Sequence, residues 1–466
     1  MTATGPADPP GRLAARTWRR LRTDRRLVGA LAVAAVAAVL FSVYLLLART
    51  NPTNADGAAN AVQAWDMLHG NVLLHGWTVS DVPFWSTEVP QYALIELVAG
   101  YGPDVPHLAA ALTYTLLVLL AAAVAKGNAT GRAAAVRITI AVAVLLTPAP
   151  GNGYAILLLI PDHTGTAVPL LLAWLLLSRV GLGARASGDL PQGGGAAQAS
   201  DTPSQDRRVA GSWTAVAVAL ILGWTQIGDP LALFVGAVPL TLVSLFRLFT
   251  HATGRVDAER RLTGLGERES GTIEAASKSL VGRRRLDWRG LDARLALAGV
   301  ASVVLAQVVL NVVHAAGGFS AHPPIAAFAA RSALAENFRI TGRTLAVNFG
   351  AYFPDYRTSF PGHLAGFGLI VWLAHLVALL FVGVAVVVAV SRLVARRDSD
   401  RITGVLAVAI LVNLGAFVIS TQPAGLDTAR QIVPVLPLGA ALAGRLCGDA
   451  IRRTGAMPVA TPFLAV

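Results

Sequence analysis

The chain has 466 residues, 55% hydrophobic and only 14% charged, with 38 Lys and Arg against 26 Asp and Glu and a formal net charge of +12. Soluble domains carry about 25% charged residues, so this composition, gathered into long uncharged runs, excludes an ordinary soluble enzyme and a globally disordered chain. It reads as an all-α, polytopic integral membrane protein, and its single cysteine, Cys447, excludes an intramolecular disulfide or a thiolate metal cluster.

Residues 1–26 form a basic tail in which Arg12, Arg16, Arg19, Arg20, Arg22, Arg25 and Arg26 precede an apolar run at 27–48. That run has 22 residues. A signal-peptide core has roughly 7 to 15, so the run reads as an uncleaved first membrane helix. Nine further runs follow, at 107–125, 135–149, 164–181, 212–228, 230–249, 293–314, 363–391, 402–420 and 431–447. Together they predict about ten spans in one transmembrane domain over 27–447, followed by a tail over 448–466. The stretch 137–163 is interrupted by Pro148, Pro150, Gly151, Asn152 and Gly153. Two readings fit it: a short helix followed by a re-entrant segment beside a cavity, or an ordinary proline kink. Asp229-Pro230 leaves almost no loop between two spans.

With the amino terminus inside, the outward loops (49–106, 150–163, 228–230, 315–362 and 421–430) hold six basic and eleven acidic residues, leaving 32 basic and 15 acidic for the other side. This positive-inside asymmetry predicts cytoplasmic N and C termini. The net charge then records orientation and does not imply a nucleic-acid partner. Two cytoplasmic segments read as linkers: 182–211, rich in Gly, Ala, Ser and Gln, and 250–292, of mixed charge with Arg283-Arg284-Arg285.

The long first outer loop carries Asp56, Asp66, Asp81, Glu88, Glu96 and Asp104 against one Arg. Loops of this length generally fold or function. The spacing of Ala61, Trp65 and Leu68 predicts an interfacial helix over 57–70 with Asp56 at its start, where an Asp also suits a simple cap. A second helix is predicted over 88–99, and Trp65, Trp77, Trp85 and Tyr92 fit an aromatic belt. In the outer loop 315–362, helical spacing of apolar and basic residues over 325–345 predicts an interfacial helix that meets anionic headgroups, or that brings Arg339 or Arg343 to the phosphate of a lipid carrier. The turn-rich stretch from Asn348 to Tyr356 is suited to covering a cavity.

The run Asn54-Ala55-Asp56-Gly57-Ala58-Ala59-Asn60-Ala61, continuing through Trp65 and Leu68 directly after a first membrane helix, resembles the first outer loop of the GT-C superfamily of multi-spanning glycosyltransferases. Two further stretches are similar to that family. Pro161-Asp162-His163-Thr164-Gly165-Thr166 matches an outer acidic position. Ala429-Arg430-Gln431-Ile432-Val433-Pro434-Val435-Leu436-Pro437 matches a stretch opening a late helix, with Gln431 in place of the usual Tyr. Gly57 stands where many members carry a second acid.

The resemblance implies transfer of a sugar, with inversion, from a polyprenyl-phosphate donor to an acceptor at the outer face, with Asp56 beside the sugar and the acceptor. Such a reaction needs a base for the acceptor proton and a cation for the departing phosphate. Asp56 suits the first role, with Asp162 beside it as a second catalytic carboxylate. Arg430 suits the second, because its planar fork matches phosphate oxygens. His163, Arg339 and Arg343 are further candidates for substrate or phosphate contact. Asp162 and His163 make one ligand pair where open catalytic metal sites normally have three protein ligands, so a divalent cation is the one cofactor left open. The expected partners are the bilayer, the lipid-linked donor and an acceptor of unknown identity. The Arg-, Ala- and Gly-rich composition suggests a high-GC bacterium and hence its plasma membrane. The rival readings are a transporter or flippase for a lipid-linked or amphipathic substrate and a catalytically inactive scaffold. A transporter predicts ionisable groups inside the spans or an internal repeat, whereas this reading of the sequence puts every acid and base in loops or at helix ends. The enzyme reading predicts that Asp56, Asp162 and Arg430 converge within roughly 10 to 15 Å on one cavity.

Overall fold

A computed structural model of the protein describes residues 25–180, 203–250, 290–322, 327–395 and 400–454. Most of the basic tail, most of both linkers and the last twelve residues, 455–466, lie outside the described residues. The described chain is helical apart from two short strands. In order, α1 is Arg25–Ala48, α2 Ala55–Leu68, β1 Thr78–Val79, α3 Glu88–Ala99, α4 Val105–Lys126, α5 Gly131–Leu145, α6 Asn152–Leu158, α7 Asp162–Val180 and α8 Pro203–Gly228. Next come α9 Leu233–Thr250, which opens as a π-helix, α10 Leu291–Ala315, β2 Ser320–Ala321, α11 Leu334–Asn348, α12 Phe353–Ser359, α13 Ala365–Val394, α14 Arg401–Ile419 and α15 Val435–Thr454.

Seven helical stretches among the described residues are long and apolar enough to cross a membrane, and the bent pair α6 and α7 would make an eighth. The chain is thus all-α and built to sit in a membrane. On α1, Leu31, Val33, Val36 and Val39 are all exposed, as are Leu380, Val384 and Val387 on α13. Continuous apolar faces of this kind are a liability in water and natural against lipid tails. In the interior, α4 packs against α1, α5, α7 and α15, burying Tyr114, Leu117 and Ala121 against a core that includes Trp174, Leu170 and Leu438. Helices α5 and α15 approach so closely that a Cβ on Gly444 would lie 2.5 Å from the Arg137 carbonyl, the close contact that small residues allow between membrane helices.

The expectation of ten spans is corrected at two places. The run 135–149 forms α5, only 15 residues long, which covers about 22 Å against a hydrocarbon core of about 30 Å. The run 431–447 begins in a 3-10 turn, Asp427–Ile432, and its apolar helix is confined to Val435–Gly448. Prolines set both limits: Pro148 and Pro150 stop α5 from continuing, and Pro434 directly precedes α15. Helix α8 also begins inside the expected linker, and α11 starts later than the helix expected over 325–345.

Between 137 and 163 the backbone breaks twice, and α6 meets α7 at 58°. The protein satisfies the groups that this break frees. The carbonyls of Leu145, Leu146 and Thr147 accept from Tyr114 Oη, Tyr44 Oη and His375 Nε2 at 2.8, 2.9 and 3.0 Å. With Nε2 donating, His375 Nδ1 accepts from the Tyr356 hydroxyl at 2.6 Å. The Asp355 carboxylate accepts from the Asn152 backbone and side chain at 3.1 and 2.8 Å, closing the N-terminus of α6. The α2–α3 and α10–α11 connections are tied by the parallel pair β1–β2, in the register Thr78 with Ser320 and Val79 with Ala321.

Candidate functional site

Asn54, in extended conformation, accepts from the Gly57 N–H at 2.8 Å and caps α2. Asp56 is therefore not the cap and stands in the first turn with its side chain 62% exposed. The same fold explains why residue 57 is a glycine. Gly57 is wedged against α4 and the α6–α7 break, where a Cβ would lie 2.6 Å from Ile160 Cγ2 and 3.2 Å from Pro106 Cβ. A side chain is thus excluded at this position. Gly57→Ala is expected to lower stability by about 1–3 kcal/mol through overpacking, read as a lower midpoint in size-exclusion thermal stability of the purified protein. An unchanged midpoint would contradict this packing.

The first turn of α7 supplies Asp162, buried and at φ +34. The 3-10 turn ahead of α15, Asp427–Ile432, supplies Arg430. Its Nη1 lies 3.7 Å from Asp56 Oδ2 and 3.8 Å from Asp162 Oδ2. These are ion-pair distances beyond hydrogen-bond length, so the guanidinium is held by charge without committing its donors to either carboxylate. Arg430 is 48% exposed. All three residues line a cavity of about 270 Å³, together with Asn60, Gln63, Trp77, the segment 78–84, His163 and Gln431. Among the described residues the cavity is lined by one Lys or Arg, Arg430, facing Asp56, Asp81 and Asp162. Among the described residues only Leu74, Phe84 and Asp162 have positive φ without being glycine, and two of these three line the cavity. Such strain persists where the surroundings over-determine it, often at functional sites. The Phe84 backbone is pinned by its N–H donating to the Gly228 carbonyl at 2.8 Å, and its ring meets His163 edge-on.

Behind the cavity lies a second layer, in which Asp229 and Glu88 were given no role by the sequence reading. His163 Nδ1 donates to Asp229 Oδ2 at 2.7 Å, and Asp229 also accepts from the Thr166 hydroxyl and, at 2.9 Å, from the Leu231 N–H. Burial alone would raise Asp229, but the His163 ring and these donors outweigh it and hold the carboxyl below its usual range. Glu88, at the start of α3, is fully buried, and among the described residues neither of its carboxylate oxygens reaches a hydrogen-bond partner. It rests on α7 at Gly165, where a Cβ would lie 2.7 Å from Glu88 Oε1. Burial and the neighbouring Asp162 and Asp229 carboxylates push Glu88 well above the usual range. The available signals were Gly165 in the α7 turn and an Asp-Pro joining two apolar runs.

The other candidates lie elsewhere. Arg339 is exposed on α11 and ion-paired with Glu336, three residues earlier. Neither it nor Arg343 lines the cavity. Among the expected belt aromatics, Tyr92 is fully buried in the core instead, while Trp77 and Trp85 donate their indole N–H groups to Asp66 and to the Val72 carbonyl, both at 2.8 Å. Among the described residues there is no group of three or more His, Cys, Asp or Glu placed to hold a metal ion. Compared with protein-family models, curated proteins and solved structures, the chain matches none.

Proposed function

We propose that the chain is a GT-C-like glycosyltransferase that moves a sugar from a polyprenyl-phosphate donor to an acceptor hydroxyl. It would work at the outer face of a bacterial plasma membrane, with both termini cytoplasmic. The observation that carries this reading is the meeting of Asp56, Asp162 and Arg430 in one cavity, three residues far apart in the chain. In the proposed step Asp56 takes the acceptor proton while the acceptor oxygen forms a bond to the anomeric carbon. The bond from that carbon to the phosphate oxygen breaks, and polyprenyl phosphate leaves with its charge met by Arg430. Asp162 orients the guanidinium and the acceptor. Arg339 and Arg343 are left with a headgroup role.

Arg430→Gln is expected to lower kcat/KM for a labelled polyprenyl-phosphate sugar at least 100-fold, with Arg430→Lys recovering part of the loss, because a lysine keeps the charge but not the bidentate fork. Equal turnover in all three proteins would refute the phosphate role.

One observation favours the transporter reading. Buried ionisable groups occur at Asp229, in the α8–α9 connection, and at Glu88, the first residue of α3, as expected for a loop and a helix end, but Arg445 lies within α15, where it bonds Asp400 and the Val124 carbonyl. The two readings separate by product, since transport moves the lipid-linked substrate unchanged and transfer releases polyprenyl phosphate.

A further inference from the structure

One wall of the cavity continues from a charged end into neutral polar residues. Asp56, Asn60 and Gln63 stand at successive turns of α2, on one face of the helix, and all three line the cavity. Asp56 to Gln63 spans roughly 10 Å at 1.5 Å per residue, about the reach of a sugar ring and its linkage. Asn60 and Gln63 are 5% and 6% exposed, and Asn60 Nδ2 and Gln63 Oε1 have no hydrogen-bond partner among the described residues. The facing helix α3 is polar in the same way, with the side-chain oxygens of Glu88, Tyr92 and Glu96 also unpartnered. Buried amides without partners are rare in native proteins and call for a ligand or solvent to complete them. Trp77 lines the same cavity with its indole N–H committed to Asp66, so what it offers is its ring.

We propose that Asn60 and Gln63 form a hydroxyl-reading subsite for a neutral, polyhydroxylated ring, stacked on Trp77 and separate from the charged end at Asp56, Asp162 and Arg430. Each amide carries both donors and an acceptor, which matches hydroxyl groups that both give and take hydrogen bonds. The subsite deepens the glycosyltransfer reading by assigning a neutral sugar to it. An acidic sugar is disfavoured because Asp81 and Asp162 lie on the same cavity.

The test is saturation-transfer NMR on the full chain in nanodiscs, free of sugar-based detergent, with methyl mannoside, methyl arabinofuranoside and methyl glucuronide as probes. At least one neutral glycoside is expected to show transfer at its ring protons. That signal should persist in Arg430→Gln, fall at least fivefold in Asn60→Leu and Gln63→Leu, and be weaker for the glucuronide. The near-isosteric Asn60→Asp and Gln63→Glu variants, checked for an unchanged thermal midpoint, should lose it as well if the leucine variants do not fold. Absence of transfer from every neutral glycoside in the wild type, or its survival in folded variants at both positions, would overturn the subsite. Glycoside binding without turnover of any lipid-linked donor would sink the glycosyltransferase reading and leave the subsite standing, so the two failures are distinguishable.

Discussion

Asp56→Ala is expected to remove sugar transfer while leaving the protein folded. Asp56 is exposed, is not the cap of α2 and makes only a long ion pair with Arg430, so its loss should change stability by no more than about 1 kcal/mol, the range of surface pairs. Its proposed work is to take a proton in the transition state, and losing a positioned base typically costs about 100- to 10,000-fold in rate. The check is a single-turnover assay beside a thermal midpoint. A folded variant that keeps more than a tenth of the wild-type rate would remove Asp56 from the chemistry. A variant that loses activity together with its fold would contradict the exposed, uncapped position described above.

Replacing Asp229 should have the opposite profile, with a large effect on folding first. Asp229 is wholly buried and answers three donors: His163 Nδ1, the Thr166 hydroxyl and the Leu231 N–H. Asp229→Ala strands all three without water, and breaking a buried charged pair from one side costs about 3–5 kcal/mol. Asp229→Asn keeps the shape and should cost less. The pH dependence has a defined sign. A carboxyl held below its usual range stabilises the fold fully above the unfolded value near 4, and that stabilisation is lost as pH falls through the lower folded value. The gap between wild type and Asp229→Asn should therefore narrow as pH falls below about 4. A gap that widens below about pH 4 would contradict the charged pairing with His163.

Much of the site was legible in the sequence because its parts are short, local signals. A polar run directly after an apolar span marked α2, and Pro148 to Gly153 marked the break that leads to α7. An Arg ahead of two prolines marked the approach to α15. Where the reading erred, the cause was a competition that local pattern cannot decide. Asn54 and Asp56 are equally good cap residues, and the backbone geometry chose Asn54, freeing Asp56 for the cavity. The burial of Glu88 and Asp229 depends on α3, α7 and the α8–α9 corner meeting in space, with Gly165 leaving room for one carboxylate and His163 pairing the other. Tyr92 looked like a membrane-surface aromatic because periodicity does not distinguish a lipid boundary from a helix interface. The excess of two spans arose because apolar composition continues across the points where prolines limit the helix, after α5 and before α15.

The joined placement of Asp56, Asp162 and Arg430 also gives meaning to Gly57. In the GT-C pattern a second acid follows the first, and here the packing of α2 on Ile160 and Pro106 leaves no space for it. Asp162, arriving from α7 to within 3.8 Å of Arg430, supplies a second carboxylate to the same cavity by a different route. On this reading the missing acid does not argue for an inactive scaffold.

The most direct measurement is the release of polyprenyl phosphate by the purified full chain in nanodiscs, given a panel of short-chain labelled polyprenyl-phosphate sugars and a hydroxyl acceptor, with Asp56→Ala alongside. Release of polyprenyl phosphate from at least one donor, with inversion at the anomeric carbon and none from Asp56→Ala, is the expected result. No release from any donor, together with movement of the intact lipid-linked sugar across proteoliposomes, would contradict the glycosyltransferase reading and identify the cavity as part of a transport path.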